Sequence, residues 1–95
     1  MLRHIVLWSM KDDAERSLDE LLDDLRALVD DIDEIKALSC GPLINDAPHD
    51  AALCVDLRDE DALARYRAHP AHQPVLQALR VNGENLVVGD YTFPV

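Results

Sequence analysis

The sequence predicts an α+β fold of order β-α-β-β-α-β, with a four-stranded antiparallel sheet carrying both helices on one face. Three observations predict it. The chain opens on a short β-branched apolar run, Leu2 to Trp8, and a leucine stripe of helical period follows from Leu18 to Ile32. Two apolar runs separated by turn formers then precede a second helical segment and a last β-branched run, Leu86 to Phe93.

The first run, Leu2-Arg3-His4-Ile5-Val6-Leu7-Trp8, is bounded by Lys11-Asp12-Asp13 and reads as a strand. Alternation puts His4, Val6 and Trp8 on one side and Ile5 and Leu7 on the other, so the strand needs cover on both faces. Ser17-Leu18-Asp19-Glu20 spells a capping box, in which the hydroxyl and the Glu carboxylate each satisfy an orphan backbone N–H. Leu18, Leu21, Leu22, Leu25, Leu28, Val29 and Ile32 then form one apolar stripe with the acids behind it. Ile35 to Ile44 and Asp50 to Leu57 read as a β-hairpin around Asn45-Asp46-Ala47-Pro48-His49. Asp59-Glu60-Asp61 places carboxylates in the first turn of a second helix, which runs through Leu63 and Tyr66 and ends near His69, ahead of Pro70. A short helical piece restarts with Val75, Leu76 and Leu79, and Asn82-Gly83 closes it before the last strand. This is the split-βαβ, or ferredoxin-like, arrangement, in a single domain over residues 1–95 with no internal repeat or linker.

Ninety-five residues bury a modest fraction of their surface, which leaves a lone subunit marginally stable. The composition is 48% hydrophobic and 4% aromatic, with a net charge of -10, so the chain folds but repels phosphate backbones and anionic headgroups. That argues against nucleic-acid and membrane partners. Residues 12–34 carry most of the excess acid, yet lack the residue order of a calcium loop, and read as a solvated helix face. Cys40 and Cys54 have no metal-ligand spacing and read as small buried apolar residues. With no signal peptide and no long apolar run, the expected location is the cytoplasm.

With both helices on one face, the other face of the sheet exposes Ile5, Leu7, Val87 and Tyr91. A soluble monomer rarely tolerates such a patch, and a two-fold homodimer, sheet against sheet, covers it with itself.

Arg3-His4-Ile5-Val6-Leu7, Tyr66-Arg67-Ala68-His69-Pro70-Ala71-His72 and Val87-Val88-Gly89-Asp90-Tyr91 together resemble the stress-responsive A/B barrel (Dabb) proteins of the dimeric α+β barrel superfamily. The resemblance runs nearly end to end and implies a dimer whose two sheets form a barrel. Many members of that family have no known reaction, while its plant polyketide cyclases perform an intramolecular aldol condensation between sheet and helices. Carried over by position, the resemblance implies His72 as base, Asp90 as its orienting acid, and Tyr66 and His4 as partners of substrate carbonyls. Leu25 stands where the cyclases carry a second cavity tyrosine.

These residue types suit that chemistry. An imidazole can take a proton from carbon α to a carbonyl, a carboxylate fixes its tautomer, and Tyr with a second His can hydrogen-bond an enolate. Strand alternation aims His4 and Asp90 into one apolar pocket beneath the helices, walled by Val6, Trp8, Leu53, Leu86 and Val88, and Trp8 is large enough to fill it. No cofactor is required. Each residue also has a plainer reading: His69 hydrogen-bonds local backbone before Pro70, Tyr66 packs at the pocket mouth, His49 is solvated, and His72 ties its helix to the last strand through Asp90. Zinc on His4, His69 and His72 is disfavoured by the helix break at Pro70, so no metal site is assigned. The leading expectation is a homodimer whose pocket binds a carbonyl-bearing or aromatic metabolite, with His72-dependent proton transfer. Its alternatives are a non-catalytic structural or stress-protective dimer and a cofactor-free monooxygenase-like enzyme.

Overall fold

A computed structural model describes residues 1–95. The elements run β1 (Leu2–Met10), α1 (Leu18–Asp31), β2 (Ala37–Pro42), β3 (Ala51–Leu57), α2 (Glu60–Ala68), α3 (His72–Asn82) and β4 (Gly83–Thr92). The four strands form one antiparallel sheet in the order β2-β3-β1-β4, the ferredoxin-like arrangement with the second helix divided into α2 and α3.

Local chemistry accounts for the element ends. The Ser17 hydroxyl caps α1 by accepting from the Glu20 N–H at 3.2 Å. The reciprocal half of the expected capping box is replaced, since the Glu20 carboxylate accepts from Arg16 Nε at 3.2 Å. Asp59 sits just outside α2 and accepts from the Ala62 N–H at 2.9 Å, so it caps the helix rather than occupying its first turn. α2 stops at His69, whose extended backbone (φ -63, ψ 134) is the conformation that Pro70 demands of its predecessor. His69 Nδ1 accepts from the Ala71 N–H at 3.0 Å, the local role expected of it.

Two boundaries differ from expectation. β2 is shorter than the apolar run that predicted it: Ile35 is buried beneath the α1–β2 connection, whereas Ile44 is fully exposed in the hairpin loop. β4 begins at Gly83, with no intervening turn. An irregularity between Leu7 and Ser9 in the β1–β4 ladder absorbs the abrupt entry, and nearby Asn85 adopts φ 55.

One face of the sheet packs beneath the helices. Leu2, Val6, Trp8, Leu53, Val55 and Leu57 meet the α1 stripe of Leu21, Leu22, Leu25 and Leu28, with Leu63, Tyr66 and Leu79 from α2 and α3. Asn82 locks the end of α3 to the loop before α1: its Oδ1 accepts from the N–H groups of Glu15 and Arg16, each at 3.0 Å, and its Nδ2 donates to Ala78 O at 2.8 Å. On the opposite face Ile5 and Leu7 are half-buried, while Val87 and Tyr91 are 50% and 46% exposed. Arg3 crosses this face, pairing with both Asp56 oxygens at 2.7 and 2.9 Å and lying 4.8 Å from the Phe93 ring centre. Cys40 and Cys54 are free thiols and half-buried rather than buried. Cys40 pairs with Leu53 while Cys54 pairs with Ser39, which puts the two thiols on opposite sheet faces and keeps them apart. No helix is long and apolar enough to cross a membrane.

Candidate functional site

The site begins with strand register. β1 and β4 run antiparallel with Val6 opposite Val88 and His4 opposite Asp90, so all four side chains share the helix-facing side. His4 is 6% exposed and its Nδ1 lies 2.5 Å from Asp90 Oδ1. A carboxylate only accepts, so Nδ1 carries the hydrogen and the neutral ring keeps its lone pair on Nε2. The second Asp90 oxygen accepts from Arg67 Nη2 at 3.0 Å, which joins β1, β4 and α2 through one carboxylate.

This corrects one expectation. Asp90 pairs with His4 and Arg67, not with His72, because the ladder sets it directly across from His4 while His72 enters from the start of α3.

Tyr66 stands between the two histidines. Its ring centre lies 5.8 Å from that of His4, edge-on, and 4.6 Å from that of His72, tilted by 52°. Tyr66 is wholly buried, so its hydroxyl lies in the interior rather than at a mouth, and burial raises its pKa to about 12. Burial also pushes the His72 imidazole below its usual value, opposed by the Arg67 backbone carbonyl and helped by the proximity of His4 and of the Arg67 and Arg80 guanidinium groups. Tyr66 Oη and His72 Nδ1 are both buried and both lack a hydrogen-bond partner in the protein.

These rings border a partly enclosed cavity of about 380 Å³, within the range of small-molecule sites. His4, Tyr66, His72, Val6, Leu53, Leu86 and Val88 all line it. Leu25 lines it too. Asp90 is hydrogen-bonded to His4 and is not among the lining residues.

Trp8 is the second correction. It is fully buried and neither lines nor fills the cavity. It sits at the strand irregularity, with Cδ1 only 3.2 Å from where a Cβ on Gly83 would be, so it packs under the α3–β4 junction. The lining residues that sequence reasoning did not assign are Val75, Leu76 and Leu79 of α3, and Arg67 and Arg80. The apolar side of α3 was the available signal for the first three; nothing in the sequence marks the two arginines.

Comparison with known proteins bears on the family and the fold. The stress responsive A/B barrel domain matches residues 2–93. An uncharacterized protein of Streptomyces coelicolor is 36% identical over 98 residues, covering 98% of this chain and all of its own. Among solved structures, an Arabidopsis thaliana protein superposes with a TM-score of 0.88 at 24% identity, covering 100% of this chain and 97% of its own. A dimeric ferredoxin-like protein of unknown function from Thermobifida fusca superposes with a TM-score of 0.82 at 26% identity, covering 97% of this chain and 90% of its own. A family match over nearly every residue, on the fold that carries this His-Asp pair, makes the chain a member of the stress-responsive A/B barrel (Dabb) family.

Proposed function

We propose that this Dabb protein is a homodimer whose cavity binds a small carbonyl-bearing or aromatic metabolite and promotes proton transfer on it. One observation carries the reading: the hydroxyl of Tyr66 and Nδ1 of His72 are buried without protein partners, and both residues belong to the lining of a mainly apolar cavity. A buried polar group left unsatisfied costs about 1–3 kcal/mol, so two at one site suggest polar groups kept for a ligand. Dimerisation is supported by the apolar outer sheet face and by the dimeric state of the Thermobifida fusca relative.

His4 is the base this geometry favours over His72, because Asp90 supports the charge that His4 acquires. The α-proton of the bound carbonyl compound passes to His4 Nε2, and the C–H electron pair moves into an enolate. Its oxygen accepts from the Tyr66 hydroxyl. The enolate carbon then forms a bond to a second carbonyl carbon, and His4 returns the proton to the new alkoxide. His72, held neutral, orients the carbonyl from the other side of Tyr66.

Deuterium exchange at the α carbon of a soluble aryl ketone, followed by NMR, tests this. The wild-type protein should accelerate exchange, and Asp90→Asn and His4→Gln should each remove about a hundredfold or more. Acceleration absent in the wild type, or equal in all three proteins, would overturn the chemistry. A second reading, a purely structural role, draws on the way Asp90 joins β1, β4 and α2. It predicts that His4→Gln loses about 1–3 kcal/mol of stability while no ligand stabilises the wild type.

A further inference from the structure

The cavity lining is electrically unlike the rest of the chain. The sequence carries 19 Asp and Glu against 9 Lys and Arg, yet the lining includes Arg67 and Arg80 and no carboxylate. Arg67 spends one nitrogen on Asp90, at 3.0 Å. Arg80, like Arg58, makes no ion pair, whereas Arg3, Arg16, Arg26 and Arg65 find carboxylates; of the two unpaired arginines, Arg80 is the one on the cavity. Its place in the last turn of α3 suits a cation at the negative end of the helix dipole. That preference does not require a guanidinium at the cavity edge. Both arginines act on the half-buried His72 imidazole and line the cavity with it, which places their charge close to the interior polar groups.

We propose that the ligand is an amphipathic organic anion, a carboxylate on a hydrocarbon or aryl body, with the carboxylate held by Arg80 beside Arg67. The body then lies against Leu25, Leu53, Val75 and Leu79, and an inner polar group meets Tyr66 and His72. A planar guanidinium binds a carboxylate through two parallel hydrogen bonds, and an apolar wall on one side strengthens that attraction. The overall negative charge of the protein disfavours such a ligand everywhere except at this opening. This inference rests on the cavity being a ligand site and deepens that reading by naming the ligand class.

Calorimetric titration with 4-phenylbutyrate and its neutral analogue 4-phenylbutyramide tests it. The carboxylate should bind about tenfold or more tightly than the amide, with a preference that shrinks as salt rises. Arg80→Gln should abolish the preference and leave amide binding unchanged, while Arg80→Lys keeps part of it. Equal binding of the two probes to the wild type overturns the anion proposal and leaves the cavity as a ligand site. Equal weakening of both probes by Arg80→Gln also overturns it, since the arginine then acts only on the fold. Failure of both probes to bind overturns the proposal together with the reading beneath it.

Discussion

Tyr66 and His72 lean against each other with their ring centres 4.6 Å apart, and each buries one polar atom that no protein group satisfies. The pair therefore works against folding, and removing its polarity should reveal that.

Tyr66→Phe deletes the orphan hydroxyl and keeps the ring. Urea unfolding should show stability unchanged or raised by up to about 1 kcal/mol, whereas ligand-induced stabilisation is lost. A loss above about 1 kcal/mol would show that the hydroxyl is satisfied in the folded protein.

The depressed His72 pKa carries a pH signature. The folded value lies below the ordinary 6.5, so on acidification the unfolded chain takes up its proton first. This contribution to stability is complete above the unfolded value and disappears as pH falls through the folded one. His72→Leu removes that part of the acid-side slope, so the stability lost between about pH 7.5 and 5 should be smaller than in the wild type. Urea midpoints across that range measure it, and parallel curves would refute the assignment.

Val87 is half-exposed on the sheet face turned away from the helices. In a two-fold sheet-to-sheet dimer, Val87→Asp introduces charge into both copies of the buried patch, a change worth several kcal/mol. The dimer dissociation constant should rise by roughly a hundredfold or more, giving a monomer mass by light scattering at micromolar concentration. An unchanged mass would place the interface elsewhere.

Gly83 has ordinary extended backbone, and space rather than conformation is what requires glycine there. A Cβ would sit 2.8 Å from Leu79 O and 3.2 Å from Trp8 Cδ1. Gly83→Ala should lose about 1–3 kcal/mol and shift Trp8 fluorescence, because helix and strand must separate to admit the methyl. Wild-type stability and emission together would contradict that packing.

Much of this was legible in the sequence because it depends on short-range periodicity. Alternation in β1 correctly set His4 and Val6 on the helix side, and the same parity in β4 set Leu86, Val88 and Asp90 with them. The α1 stripe and the helix stop at Pro70 are equally local. What local pattern does not encode is register between strands far apart in sequence. The partner of Asp90 depends on how β4 slides along β1, and the ladder is offset between Leu7 and Ser9, where Trp8 packs close to Gly83. The two arginines escaped notice because a surface cation and a cavity cation look the same until the helices are placed around the opening.

The separation of His4 and Asp90 by 86 positions has a kinetic consequence. A folding intermediate with β1, β2 and β3 paired would already hold the imidazole but not its carboxylate, since β4 must still dock along the free side of β1. Closing so long a loop is slow compared with forming α1 or the β2–β3 hairpin. The His4–Asp90 pair thus forms only at the final closure of the sheet, and a species that lacks β4 leaves the imidazole without its carboxylate.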